Sequence, residues 1–186
     1  MLAPPRPPEW EAHRAVPAWA AMAVEVRAAS IADADELAAI AAATFPLACP
    51  PSADPGDIAA CIAENLSAER FAVYLGDPQR HVLAARQAGR IIGYAMLIRG
   101  DADVELSKMY VLAEHHRRGA AAALMNAGLA WAAENGARSV WLGVNQNNER
   151  AKAFYRKHGF AVTGTRTFRL GASLEDDFVM ARPLSG

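Results

Sequence analysis

Little in this sequence points toward a membrane, a nucleic acid or an oxidising compartment. Among 186 residues there are two cysteines, Cys49 and Cys61. That is too few for a disulfide framework, and the expectation is two small buried thiols in a reducing, cytoplasmic setting. Lys and Arg number 19 against 20 Asp and Glu, a formal net charge of −1, so no basic footprint argues for a nucleic-acid partner. Hydrophobic residues make up 53% of the chain, but alanine supplies much of that share and no apolar run is long enough to span a bilayer. His115 and His116 are adjacent and lack further ligands at suitable spacing, so no metal site is expected. The first 23 residues hold five prolines before any periodic pattern begins, without the basic start and apolar stretch of a signal peptide. Residues 1–23 therefore read as a flexible extension, with Met22 as a possible natural start, and residues 24–186 as one domain.

What is present begins with a short alternating stretch, Val24 to Ala28. Ser30 then caps a helix with an acidic first turn that runs to about Thr44. Phe45 to Pro55 reads as a Pro-rich loop. Asp54-Pro55-Gly56-Asp57 opens a second helix to about Leu66, and Ser67 caps a third containing Phe71 and Tyr74. His81–Gln87 and Arg90–Ile98 read as antiparallel strands around a hairpin at Ala88-Gly89. Ala161–Leu170 and Asp176–Pro183 read as the last two strands.

Between them lies the most informative stretch, Glu105 to Phe160. A strand over Val104–Val111 leads into an arginine-bearing Gly/Ala turn, which opens an Ala-rich helix from about Arg118 to Asn135. A second apolar strand, Val140–Val144, passes through Asn145–Asn148 into another helix ending at Gly159. Strand, helix, apolar strand is a βαβ unit, which predicts parallel strands. Ligands of such sheets bind at the carboxyl ends of the strands, beside helix N-termini. The turn itself suits a phosphate. The first helical N–H groups lack partners and carry the positive end of the dipole, while Gly119, Ala120, Ala121 and Ala122 leave the backbone accessible and Arg117 and Arg118 add charge. The same composition also fits an Ala-rich helix with a basic, solvated start.

His116-Arg117-Arg118-Gly119-Ala120-Ala121 resembles the Gln/Arg-x-x-Gly-x-Gly/Ala motif of the Gcn5-related N-acetyltransferase (GNAT) superfamily, with histidine where Gln or Arg is usual. The preceding strand ends in Tyr110-Val111 as that family's fourth strand does. Asn148-x-x-Ala151-x-x-x-Tyr155-x-Lys157-x-Gly159-Phe160 resembles its second signature. The stretch ending at Phe160, and the closing FRLGASLEDDFVMARPL, resemble the polyamine (spermidine/spermine) acetyltransferase branch.

The resemblance implies an α/β fold: a twisted, mostly antiparallel sheet of about seven strands with a central parallel βαβ unit that binds acetyl-CoA. It implies acetyl transfer to a primary amine, with a small polyamine-like acceptor. The alternatives are a protein N-terminus or lysine as acceptor, or a non-catalytic acyl-CoA-binding module. A monomer or homodimer fits either. Residue by residue, it implies that Met109, Tyr110 and Val111 hold the pantetheine arm through backbone atoms, in the manner of an added strand. His116 to Ala122 would hold the pyrophosphate, with Asn148 nearby. Tyr155 would serve as general acid toward the departing sulfur, though its spacing also fits a core aromatic. Glu105 would be the general base or act through a water relay, with a solvated strand carboxylate as the alternative. Asn148 would cap its helix, bond the cofactor, or do both, and capping needs no further hypothesis. Glu175, Asp176 and Asp177 could attract a cationic amine but most simply form a solvated charge run. Trp141 reads as a buried strand aromatic.

Overall fold

The computed structural model describes residues 23–170 and 173–184. The proline-rich stretch and the start at Met22 fall almost wholly outside them. One seven-stranded sheet has the order β1-β2-β3-β4-β5-β7-β6. Its strands are β1 (Glu25–Ala28), β2 (Arg80–Gln87), β3 (Arg90–Arg99), β4 (Asp103–Val111), β5 (Ser139–Asn145), β6 (Ala161–Leu170) and β7 (Ser173–Pro183). Among the described residues five α-helices accompany it: α1 (Ala34–Thr44), α2 (Pro55–Asn65), α3 (Ala68–Gly76), α4 (Ala120–Glu134) and α5 (Glu149–Lys157). Every pairing is antiparallel except β4 with β5, so the βαβ expectation holds.

The helix starts follow local chemistry. Asp54 accepts hydrogen bonds from the Gly56 and Asp57 amides at the start of α2, and Ser67 accepts from Arg70 at α3. These side chains satisfy donors that the first turn would otherwise leave open. The helix expected after Ser30 begins instead as a short 3₁₀ turn, Ile31–Asp33. The Asp33 carboxylate folds back to accept from the Ser30 backbone amide at 2.8 Å. Asp33 is further paired with Arg86 of β2, which fixes this first helix to the sheet.

Two cores sit on opposite faces of the sheet. On one, α4 packs Ala120, Leu124, Met125 and Ala132 against Leu97, Val104, Val140 and Leu142. On the other, α1 and α3 pack Leu37, Ile40 and Phe71 against Ala84, Tyr94 and Met96. Strand β5 shows the alternation that divides the faces: Val140, Leu142 and Val144 are buried toward α4, while Trp141, Gly143 and Asn145 point the other way.

Candidate active site

The site arises where β4 and β5 part. Their parallel pairing covers only Asp103–Glu105 against Ser139–Trp141. Beyond that point β4 keeps β3 on one side and has no strand partner on the other among the described residues. Ser107 is skipped in the β3–β4 register, between the pairs Leu97–Leu106 and Met96–Lys108, so a bulge falls at the fork. Bulges of this kind bend a strand and re-aim its side chains. The fork opens a cleft of about 240 Å³, bordered by Met109, Tyr110 and Val111 of β4, Val144 of β5, Asn148 and Tyr155. The residues expected along the pantetheine arm and at the sulfur thus meet at one opening.

The turn ahead of α4 is built on two left-handed residues. Arg117 has φ 63° and Gly119 has φ 88°. Glycine adopts that conformation freely; for arginine it costs energy and clusters at functional positions. The first helical bond is Ala123 N–H to the Gly119 carbonyl. No backbone N–H from Arg117 to Ala122 has an acceptor among the described residues. Six successive open donors leading into a fifteen-residue helix are a set of groups that an anion could satisfy.

His116 is already engaged. Its Nε2 lies 2.9 Å from the Val111 carbonyl oxygen, and its Nδ1 lies 3.2 Å from Nη1 of Arg150. A carbonyl only accepts, so Nε2 carries the proton and Nδ1 accepts from the guanidinium. The ring ties the end of β4 to Arg150 in the first turn of α5, a role that sequence reasoning did not supply.

Asn148 caps α5: its Oδ1 accepts from the Ala151 amide at 3.0 Å. About two turns on, Tyr155 packs edge-to-face on Phe154 and Phe160. Its hydroxyl has no hydrogen-bond partner among the described residues. Burial pushes its pKa up to about 12, so the phenol keeps its proton throughout the working range.

The acidic and basic groups form a row across the other face of the sheet. Arg166 on β6 lies directly opposite Asp177 on β7, which lies opposite Asn145 on β5. Arg166 Nε is 3.4 Å from Asp177 Oδ2. Its Nη1 reaches 3.5 Å from Glu105 on β4, and its guanidinium passes over the Trp141 ring. The arginine can lie there because residue 143 is glycine: a Cβ at Gly143 would collide with the guanidinium. A glycine inside a strand marks such a close approach, and that was the available signal for this row.

Three sequence-based expectations change here. Asp177 is not a solvated charge but 7% exposed. Burial raises its pKa above 3.8, and Arg166 offsets only part of that rise. Trp141 is half-buried beneath Arg166 rather than in the core. Cys49 and Cys61 are half-buried in the walls of the opening, and burial pushes the Cys49 thiol up to about 11. Glu105, by contrast, borders an adjoining cavity and not the cleft with Tyr155.

The sequence of residues 37–160 matches the acetyltransferase (GNAT) family. The chain belongs to the GNAT family. It is 64% identical over 153 residues to uncharacterized N-acetyltransferases of Mycobacterium bovis and Mycobacterium tuberculosis, covering 82% of this chain and 98% of each relative. An uncharacterized N-acetyltransferase from Lactobacillus delbrueckii subsp. lactis is 26% identical over 173 residues, covering 87% of this chain and 98% of the relative. In fold, this GNAT chain superposes with a TM-score of 0.78 on the PaiA N-acetyltransferase of Thermoplasma acidophilum in complex with coenzyme A. That match is 23% identical and covers 88% of this chain and all of the other. The ribosomal-protein-S18-alanine N-acetyltransferase of Escherichia coli gives 0.69 at 20% identity, covering 88% and 97%. The protein is an acetyl-CoA-dependent N-acetyltransferase, an acyltransferase, which replaces the non-catalytic alternative.

Proposed function

We propose that this GNAT enzyme acetylates a small primary amine that enters beside Asp177 and meets the thioester carbonyl at the fork of β4 and β5. The observation that carries the reading is the presence of Tyr155 and the buried Asp177 on one cleft bordered by both strands. The open N–H groups from Arg117 to Ala122 would hold the pyrophosphate, with Arg117 and Arg118 adding charge. The free edge of β4 from Met109 to Val111 would take the pantetheine amides as an added strand takes its neighbour.

An alkylammonium of pKa about 10 must lose a proton before it attacks. Asp177 is the carboxylate best suited to receive it, because burial makes it a stronger base than a solvated aspartate. Glu105 acts through Arg166, holding the guanidinium so that Asp177 is not fully neutralised. It is thus a positioning residue rather than the base itself.

Tyr155 donates to the departing sulfur. Proton transfer from a phenol near 12 to a thiolate of ordinary acidity, about 8.5, is uphill by roughly 5 kcal/mol. Tyr155 therefore works first as a hydrogen-bond donor to developing charge, with transfer completed late.

The polyamine-like acceptor implied by resemblance would find Asp177, with Glu175 nearby, for one ammonium group. Its further ammonium groups would meet Lys108 and Arg169. A single amine fits better. The deciding experiment is thiol release from acetyl-CoA against a panel of amines, with Asp177→Asn and Glu105→Gln beside the wild type. If Asp177 is the base, its variant loses far more kcat than Glu105→Gln. The reverse order would return the role to Glu105.

A further inference from the structure

A second cavity, of about 500 Å³, adjoins the cleft and shares Phe45, Ser107, Lys108, Tyr110 and Arg166 with it. It lies between α2, the fork end of β4 and the outer strand β6. Four charged side chains border it: Lys108, Arg166, Arg169 and Glu105. Arg166 is held by Glu105 and Asp177. Lys108 and Arg169 have no carboxylate partner among the described residues. The cavity next to the amine position therefore has two positive groups to spare.

Lys108 is held there against its own solvation. Burial pulls its pKa below the ordinary lysine range, and neighbouring Arg80 pulls it the same way, while Glu105 opposes both. Its Nζ sits 5.4 Å from the Tyr74 ring, which also carries Arg70 at 5.5 Å and Arg80 at 4.8 Å. Three cations converge on one aromatic ring, and among the described residues only Arg80 has an ion pair of its own, with Asp77. A partly buried cation whose carboxylate neighbour, Glu105, is already paired with Arg166 is costly, and an incoming anion would supply a partner of its own. Resting on the acetyl-transfer reading above, we propose that the acceptor carries a carboxylate as well as its primary amine, the amine beside Asp177 and the carboxylate on Lys108 and Arg169. The class this describes is a small amino acid or a close derivative. A polycation would place like charges against both residues.

The test compares an ω-amino acid, its carboxamide and spermidine as acceptors, by thiol release from acetyl-CoA. Wild type, Lys108→Met and Arg169→Gln are assayed in parallel. The quantity that matters is the ratio of kcat/KM for acid over amide, divided between wild type and variant, which cancels the different basicities of the amines. The expected ratio falls by on the order of tenfold in Lys108→Met and severalfold in Arg169→Gln, through KM, while spermidine becomes a better acceptor. Arg169 is exposed, so its variant tests the idea should Lys108→Met fold poorly. An acid-to-amide ratio unchanged in both variants overturns the proposal, as does a wild type that prefers spermidine. If these amines release thiol but the acid has no advantage, acetyl transfer stands and only the carboxylate site fails. If none of these amines does so while coenzyme A still binds, the small-amine reading of the function fails with it.

Discussion

Asp177 and Tyr155 are single residues whose surroundings assign them opposite duties. Asp177→Asn keeps the shape and can still accept from Arg166, but it cannot take a proton. The expected loss is roughly 10²–10⁴ in kcat/KM at neutral pH, shrinking as pH rises toward that of the free amine. Stability should move the other way. The folded-state pKa of Asp177 is raised above 3.8, so the native protein binds this proton more tightly than the unfolded chain does. The stabilisation is complete below the unfolded value and lost as pH rises through the folded one. At pH 7 the wild type bears the cost of an ionised, buried carboxylate, and the asparagine variant does not. Thermal melts should show Asp177→Asn at least as stable as wild type at pH 7, with the advantage vanishing below about pH 4. A variant that is both inactive and markedly less stable at pH 7 would mean Asp177 is a structural anchor for Arg166. Tyr155→Phe keeps the edge-to-face contacts with Phe154 and Phe160 and removes only the proton. We expect kcat to fall on the order of 10²-fold with coenzyme A affinity nearly unchanged. A change of only a few-fold would leave the sulfur to water.

At the scale of elements, the turn from His116 to Gly119 is where backbone conformation and ligand meet. A Cβ at Gly119 would touch nothing within 4 Å, yet φ there is +88°. Gly119→Ala therefore tests conformation without crowding, and should cost about 1 kcal/mol of stability with modest loss of coenzyme A affinity. Gly119→Glu adds a negative charge to the turn and should weaken coenzyme A binding by a further factor of ten or more in calorimetry. Equal affinities for the two variants would remove the pyrophosphate from this turn. Elements of this kind were legible in the sequence, because Asp54, Ser67, Asn148 and Gly119 announce helix boundaries by local rules. The charged row was not. Arg166, Asp177 and Glu105 come from three strands, and only the register of β6, β7 and β5, with the short β4–β5 ladder, aligns them. The alternation of Trp141, Gly143 and Asn145 against Val140, Leu142 and Val144 marked the face, but nothing local told which side chain would cross the gap at Gly143. Asp177 looked solvated for the same reason: Glu175 and Asp176 flank it, and burial is a property of the strand pairing rather than of the run.

The whole molecule is two half-sheets held at a narrow waist. Strands β1 to β4 form one, β5, β7 and β6 the other, and between them run only the three pairs from Asp103–Ser139 to Glu105–Trp141. Helix α4 covers the waist on one side, packing on both halves; on the other side the fork stands open. A ligand whose pantetheine arm pairs with the free edge of β4, while its pyrophosphate sits on α4, would replace part of the missing ladder. Coenzyme A should therefore stabilise the fold beyond its local contacts. By mass action, a concentration one hundred times Kd adds about 2.7 kcal/mol, visible as a melting temperature that climbs with the logarithm of ligand. Hydrogen exchange should localise the effect, slowing amides on β4 from Leu106 to Val111 and those from Arg117 to Ala122, while β1 and the hairpin at Ala88-Gly89 change little. Pantetheine alone should protect β4 but not the turn, and 3′,5′-ADP the turn but not β4. A melting-temperature rise with no slowing along β4 would mean that the ligand binds at the helix and leaves the fork unfilled, and the strand-addition account would be wrong.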